Sequence, residues 1–219
     1  MKVALIGSSG FVGKALLREL LHRGHEVTAM VRRSGGVEPQ PGLAIVSADA
    51  YSPESVASAV QGHDAVVSAF NPGWNDPQLF DNFLRGNDAI VRGVEAGGVR
   101  RLVIIGGAGS LFVAPGVQLV DTEAFLAHVP PNIVPGAKAA RDALTALRGN
   151  TALDWTFVSP PAFLEDAERT GRYRLGKDDL LMDGGKPAGI AVADLAVAVV
   201  DELETPRHIK ARFTAAREA

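Results

Sequence analysis

Cysteine is absent from the 219 residues, so the chain has no disulfides, no thiolate chemistry and no cysteine metal site. Tyrosine is nearly absent, with Tyr51 and Tyr173 the only two. Positive charge is not in excess: the net charge of −3 offers no basic field to nucleic acid or an anionic membrane. No uncharged apolar run reaches the roughly 20 residues that cross a bilayer. The five histidines are scattered, and no His/Asp/Glu grouping has metal-ligand spacing, so a metal site is not expected. Nothing resembles a signal peptide, because the N-terminus reads as a strand. The 47% hydrophobic and 21% charged content is ordinary for a globule and excludes disorder. The length suits one well-buried domain over residues 1–219. A soluble, cytoplasmic protein is the expectation.

What is present is organised around the first 33 residues. The apolar strand Lys2 to Ile6 runs into Gly7-Ser8-Ser9-Gly10-Phe11-Val12-Gly13, which opens a helix. Glycines at this spacing, between a strand and a helix, suit a chain that wraps a pyrophosphate. Gly7 permits the sharp turn, Gly10 removes the side chain where backbone meets phosphate, and Gly13 allows close packing of the helix. The positive end of the helix is aimed at the anion. Ser9, Phe11 and Val12 complete the loop. Val12, Leu16 and Leu20 form one helical stripe, widened by Ala15, Leu17 and Leu21. Gly24 ends the helix. A second strand, Glu26 to Val31, stops at Arg32-Arg33, where a dinucleotide fold faces the adenosine ribose. An acid there would bind the 2′-hydroxyl of NAD; two arginines point to the 2′-phosphate of NADPH, the other reading being a solvated basic turn.

Further strands are expected at Leu43 to Ser47, Asp64 to Phe70, Arg101 to Ile105, Leu153 to Val158 and Arg212 to Thr214. Helices are expected from Pro53, with Ser52 as N-cap, over Phe80 to Gly97, from Pro135 to Leu147, and over Ala193 to Leu203. Gly171 to Leu175 and Asp179 to Met182 read as small strands. The alternation predicts an α/β fold: a doubly wound parallel sheet with helices on both faces and a small C-terminal elaboration. Asp49, after the third strand, either contacts an adenine edge or caps the next turn. Asn71-Pro72-Gly73-Trp74 follows the fourth strand, in the ligand crevice of such a sheet; Trp74 either covers a flat ring or anchors local packing. Gly106-Gly107-Ala108-Gly109-Ser110 follows the fifth, leaving room for a nicotinamide ring, with Ser110 either a functional hydroxyl or incidental. Residues 114–135 are long, proline-bearing and weakly periodic, as lids and binding loops are.

Several segments together resemble a known family: Gly7 to Gly13, Ser68 to Gly73, Arg101 to Ser110, Pro115 to Asp121, Leu153 to Pro161 and Arg169 to Leu175. Over the whole chain they are similar to atypical short-chain dehydrogenase/reductase proteins described as NADH-flavin reductases or NAD(P)-binding epimerase/dehydratase-like proteins. Biliverdin-IXβ/flavin reductase and NmrA-like proteins are more distant relatives. The resemblance implies a cofactor site that includes Ala69, Phe70, Asn71, Gly107, Lys138 and Pro160 beside the glycine loop, and an active-site serine at Ser110. It also exposes departures. The family's Tyr-x-x-x-Lys pair is broken, because Val134 stands four residues before Lys138. The histidine that follows the Pro-Pro pair in the biliverdin/flavin reductases is Ala162 here.

Reduction of a flavin needs little acid–base help, since the protein mainly positions two rings. A carbonyl substrate builds alkoxide charge and needs a positioned acid. The expectation is therefore an NADPH-dependent reductase, with NAD a lesser alternative, acting on a flavin or similar planar acceptor. The crevice would be completed by segments around 110–135 and 159–192. The alternative is a non-catalytic NADP-binding regulator or redox sensor.

Overall fold

The computed structural model describes residues 1–32 and 36–218. In chain order its first elements are β1 Lys2–Ile6, α1 Phe11–His22, β2 Glu26–Val31, β3 Leu43–Ser47, α2 Pro53–Val60, β4 Ala65–Ser68, α3 Leu79–Ala96 and β5 Arg101–Ile105. Then come a hairpin of β6 Phe112–Ala114 and β7 Val117–Gln118, the short α4 Glu123–His128, α5 Val134–Leu147 and β8 Asp154–Val158. The C-terminal part holds β9 Phe163–Glu165, β10 Arg174–Gly176, β11 Met182–Asp183, β12 Lys186–Pro187, β13 Gly189–Ala191, α6 Val192–Glu204 and β14 Ala211–Ala216.

One eight-stranded sheet has the order β10-β14-β8-β5-β4-β1-β2-β3. Neighbours are parallel, except that edge strand β10 runs antiparallel to β14. Side chains alternate across a strand, so each central strand feeds two cores. Val3 and Leu5 of β1 join Leu16, Leu20, Leu195 and Val199 of α1 and α6 on one face. Ala4 and Ile6 join Val56, Ile90, Val94 and Leu144 of α2, α3 and α5 on the other. The doubly wound parallel sheet expected from the sequence is the architecture found.

The helix starts follow local chemistry. Ser52 caps α2, its hydroxyl accepting the Ser55 N–H at 3.1 Å, with Pro53 in the first turn. Residues 114–135 are less structureless than their weak periodicity suggests, because they hold β7 and α4. Thr122 caps α4, accepting the Phe125 N–H at 3.1 Å, yet this six-residue helix buries no side chain.

Candidate cofactor site

The strand order reverses direction at β1, with β2 and β3 on one side and β4 and β5 on the other. Loops leaving β1 and β4 at such a switch point diverge and open a crevice at the carboxyl ends of the strands. Here the crevice holds about 540 Å³. Its wall is built from Gly7, Ser9 and Gly10 after β1, Met30 to Arg32 closing β2, Ala48 and Ala50 after β3, and Ala69, Phe70 and Asn71 after β4.

The three glycines have three different causes. Gly7 sits at φ +80°, and a Cβ there would lie 2.4 Å from the Ala69 carbonyl oxygen. At Gly13 a Cβ would lie 1.9 Å from the Gly7 carbonyl oxygen, so the helix is drawn against the turn itself. Gly10 differs, for its backbone (φ −76°, ψ 172°) is open to any residue. Its nearest obstacle would be the Gly7 oxygen at 3.4 Å. Nothing among the described residues requires glycine at position 10, and the missing side chain leaves the loop backbone open to a group entering the crevice. Among the described residues no side chain caps α1, and its first internal bond runs from the Lys14 N–H to the Gly10 carbonyl at 2.9 Å. The first-turn amides of Phe11, Val12 and Gly13 thus remain for an anion at the positive end of the helix. The Ser8 hydroxyl, between two wall residues, is buried with no partner among the described residues. These features fit a dinucleotide pyrophosphate.

The remaining sequence candidates fall into distinct places. The Phe11 side chain is half exposed and Val12 packs on the core, which leaves their amides as the available contacts. Arg32 is exposed in the wall; Arg33 lies outside the described residues. Asp49 accepts the Tyr51 N–H at 2.9 Å and so caps the turn, while its neighbours Ala48 and Ala50 line the crevice. The Asn71 carboxamide accepts the Gly73 N–H at 2.7 Å. Phe70 lies flush on α3 because position 86 is glycine: a Cβ there would come within 2.3 Å of the ring. Trp74 packs beside the start of α5, near Gly136, and its carbonyl accepts the Asn132 amide at 3.1 Å.

Gly107, Lys138 and Pro160 stand apart from this wall, after β5, in the first turns of α5 and after β8. The small residues after β5 are not all small for a ligand. A Cβ on Gly106 would strike the Phe157 ring at 2.1 Å, and one on Gly109 would meet Val120 at 3.1 Å. Only Gly107 is roomy, with Ala140 at 3.5 Å.

Ser110 is placed otherwise than its sequence context suggests. It is only 1% exposed, and Arg212 Nη1 donates to its Oγ at 2.9 Å and its carbonyl at 2.8 Å. Arg212, itself buried in β14, is held by Asp178, whose Oδ1 accepts from Nε at 2.9 Å. Burial pulls the Arg212 guanidinium below its ordinary value, and Asp178 opposes that shift. A guanidinium stays charged in proteins and can only donate, so Ser110 Oγ is an acceptor here. The sequence signal for this network was an arginine inside a buried strand, which strand patterning alone left unread.

The segment from Arg169 is likewise structural. Arg169 donates to buried Glu19 of α1 at 2.8 Å. The Thr170 and Gly171 amides donate to Asp194 of α6 at 2.8 and 2.7 Å. The Tyr173 hydroxyl donates to Asp201. Burial first, and then Asp201, raises the Tyr173 pKa, and this phenol is directed at α6 rather than the crevice. Among the described residues no helix is long and apolar enough to cross a membrane, and no group of three metal-ligating side chains converges.

Comparison with known proteins agrees with this geometry. A family model described as NAD(P)H-binding matches residues 7–206. YwnB of Bacillus subtilis (strain 168), itself uncharacterised, is 39% identical over the full length of both chains. The crystal structure of a candidate epimerase from Bacteroides thetaiotaomicron is 44% identical. It superposes with a TM-score of 0.91 over 100% of this chain and 97% of that one. SP1627 of Streptococcus pneumoniae TIGR4, a candidate NADH-flavin reductase, is 34% identical, with a TM-score of 0.85 over the whole of both chains. With a Rossmann-type sheet, a glycine loop shaped for a pyrophosphate and a family model over nearly its whole length, the chain belongs to the NAD(P)H-binding family, among the atypical short-chain dehydrogenase/reductase proteins.

Proposed function

We propose that the protein is an NADPH-dependent oxidoreductase that passes hydride to a flavin or similar planar acceptor. The observation that carries this reading is a pairing: a crevice shaped for a dinucleotide, and no phenol placed to protonate a substrate. Tyr173 is bound to Asp201, Tyr51 packs against the Phe70 ring on the β3 side of the crevice and not at the ends of β5 and β8, and Val134 occupies the place of the family's tyrosine. The α1 amides hold the pyrophosphate, Arg32 takes the 2′-phosphate, and Ala48 and Ala50 keep the crevice wide enough for the adenine. A bound dihydronicotinamide supplies the hydride. Gly107 after β5, Lys138 from α5 and Pro160 after β8 flank the ring, and residues 110–135 and 159–192 complete the acceptor side. Ser110 acts through the loop that it and Arg212 fix, with solvent supplying the proton. The likeness to a candidate NADH-flavin reductase supports this acceptor over the epimerase chemistry named for another neighbour, because inverting a carbon centre by proton removal and return needs a positioned acid and base.

A second reading, a non-catalytic NADP-binding regulator, is favoured by the enclosure of Ser110, which withdraws the most suggestive hydroxyl from the crevice. A screen of NADPH oxidation with FMN, FAD, riboflavin, biliverdin and quinones separates the two. Turnover with a planar acceptor supports the reductase. Tight NADPH binding without turnover of any of them supports the regulator.

A further inference from the structure

Three segments leave the carboxyl ends of β4, β5 and β8, and they are alike in what they omit. Residues 69–78, 106–133 and 159–168 contain neither lysine nor arginine. They carry six acids: Asp76, Asp121, Glu123, Glu165, Asp166 and Glu168. Arg141 answers Asp121, and Arg217 answers Glu165. Glu123, Asp166 and Glu168 are exposed and have no ion-pair partner among the described residues. Cations beside these segments are committed: Arg212 to Asp178 beneath the loop after β5, and Arg169 to Glu19 of α1. Lys138 flanks the nicotinamide in the reading above. The stretch 177–187, which meets β6 through the Phe112 and Leu180 amides, sets Lys177 and Lys186 against Asp178, Asp179 and Asp183. The same three segments expose Trp74, Val113, Val117, Leu126 and Phe163, the last at 56%. Beside Trp74 a cavity of about 420 Å³ opens between the loop after β4 and the starts of α3 and α5. Pro77, Leu79, Phe80 and Pro135 line it with Trp74, and among the described residues its charged lining is Asp76 and Asp81 alone. The Trp74 ring rests on Gly136, where a Cβ would lie 3.0 Å from it, two residues from Lys138 in the same helix.

Charge of one sign and exposed apolar surface together narrow what this end of the molecule can receive. A flavin nucleotide brings a phosphate with about two negative charges alongside its ring. Such a group is bound where an arginine, a lysine or a long helix's N-terminus meets it. The adenosine side of the crevice offers Arg32 in its wall; the three acceptor-side segments offer carboxylates. An uncharged ring meets no repulsion there, and it gains by covering side chains that otherwise stand in water. We propose that the acceptor is an uncharged, largely apolar ring without a phosphate, received against Trp74, and that the segments after β4, β5 and β8 select against flavin nucleotides by charge. The proposal rests on the reductase reading above and names the substrate class for it. The acceptor gains a hydride and then a solvent proton, two electrons in all. The dihydronicotinamide loses that hydride from C4, its C–H bond breaking as the new bond to hydrogen forms, and becomes oxidised nicotinamide.

Riboflavin and FMN share one isoalloxazine and differ by a phosphate, so comparing them isolates charge. With NADPH as donor, kcat/KM of the full chain is measured for both, and for menadione as an apolar ring, at low and high ionic strength. Riboflavin is expected to exceed FMN about tenfold at low salt. The gap should close as salt rises, because only FMN is repelled. Glu123→Lys combined with Asp166→Lys should raise FMN relative to riboflavin. Trp74→Ala should raise KM for menadione about tenfold while KM for NADPH holds, and Trp74→Phe, which keeps an apolar ring, should recover most of the loss. FMN equal to or better than riboflavin, or an FMN rate that falls with salt, would reveal a phosphate-binding cation and overturn the proposal. A wild-type menadione KM in Trp74→Ala would overturn it too. A wild type that binds NADPH but turns over none of the three loses the reductase reading and this proposal with it, whereas a preference for FMN removes this proposal alone.

Discussion

Gly10→Val separates what the ligand demands from what the fold demands. The backbone at Gly10 is extended, so valine enters without strain, and a Cβ there meets only the Gly7 oxygen at 3.4 Å. As an N-cap, valine is poorer than glycine by about 0.5–1 kcal/mol. Loss of glycine's freedom in the unfolded chain returns about 0.4–1 kcal/mol. The net change in stability is therefore within about 1 kcal/mol, or about 2–4 °C in Tm for a chain of this size. Binding is another matter, because the valine methyls stand where the pyrophosphate approaches the α1 amides. Each charge-assisted hydrogen bond lost costs about 1.5–3 kcal/mol, so one alone weakens NADPH about 10- to 150-fold. Gly13→Ala is the control. Its Cβ would lie 1.9 Å from the Gly7 oxygen, and moving that turn costs about 3 kcal/mol, a fall in Tm of roughly 6–12 °C. Differential scanning calorimetry and NADPH titration on both variants give the comparison. A folded Gly10→Val protein with wild-type affinity would refute the phosphate-loop assignment, and a Gly13→Ala protein of undiminished Tm would refute the packing argument.

Arg32→Glu should weaken NADPH about tenfold, near the lower limit for a charge-assisted contact because the site is exposed. It should also raise NADH relative to NADPH and flatten the salt dependence; equal wild-type affinities for the two coenzymes would show that the 2′-phosphate is not read. Ser110→Ala should lower Tm, since it removes an acceptor from buried Arg212. Turnover per folded molecule should fall far less than the roughly 10²-fold expected for a lost catalytic donor, and a 10²-fold loss at unchanged Tm would put the hydroxyl on the acceptor. Tyr173→Phe should cost about 1 kcal/mol in a urea melt by removing the bond to Asp201, with turnover unaltered. Burial pushes the Glu19 carboxyl up, but the guanidinium groups of Arg169 and Arg23 outweigh it and hold the pKa below its ordinary value of 4.5. A carboxyl depressed in the folded state stabilises above its unfolded pKa, and that stability is lost as pH falls through the folded one. Acid melts should therefore steepen below about pH 4.5, and Glu19→Gln should flatten that slope; an unchanged slope would place the acid sensitivity elsewhere.

Where sequence patterning succeeded, one local cause dominated. Strand β1, helix α1 and the glycine turn between them are specified by a buried apolar run, a helical stripe and three residues whose roles are steric. Ser52-Pro53 announced α2 because capping is a short-range hydrogen bond. Patterning failed where partners are distant in sequence. Ser110 read as either a functional or an incidental hydroxyl after a glycine loop, because its environment is set by Arg212, which arrives from the last strand. Gly106 looked like room for a ring, but its smallness answers to Phe157 on the next strand of the sheet. The segment from Arg169 carried resemblance without meaning until Glu19, Asp194 and Asp201 were seen to receive it.

The place of β14 in the sheet also governs the order in which the molecule can be made. This strand, residues 211–216, is not an edge: it lies between β8 and β10, and Phe213 and Ala215 complete the same core that α1 begins. A chain emerging from the ribosome at about 5–20 residues per second can pair β1, β2 and β3 early. It must then wait some ten seconds or more for the strand that closes the α1 face. During that interval the apolar underside of α1 and the free edge of β8 stay open to other chains. The nascent protein thus has a window in which a chaperone can act, and synonymous codon changes that slow synthesis between α5 and β14 should lower its soluble yield without altering a single residue.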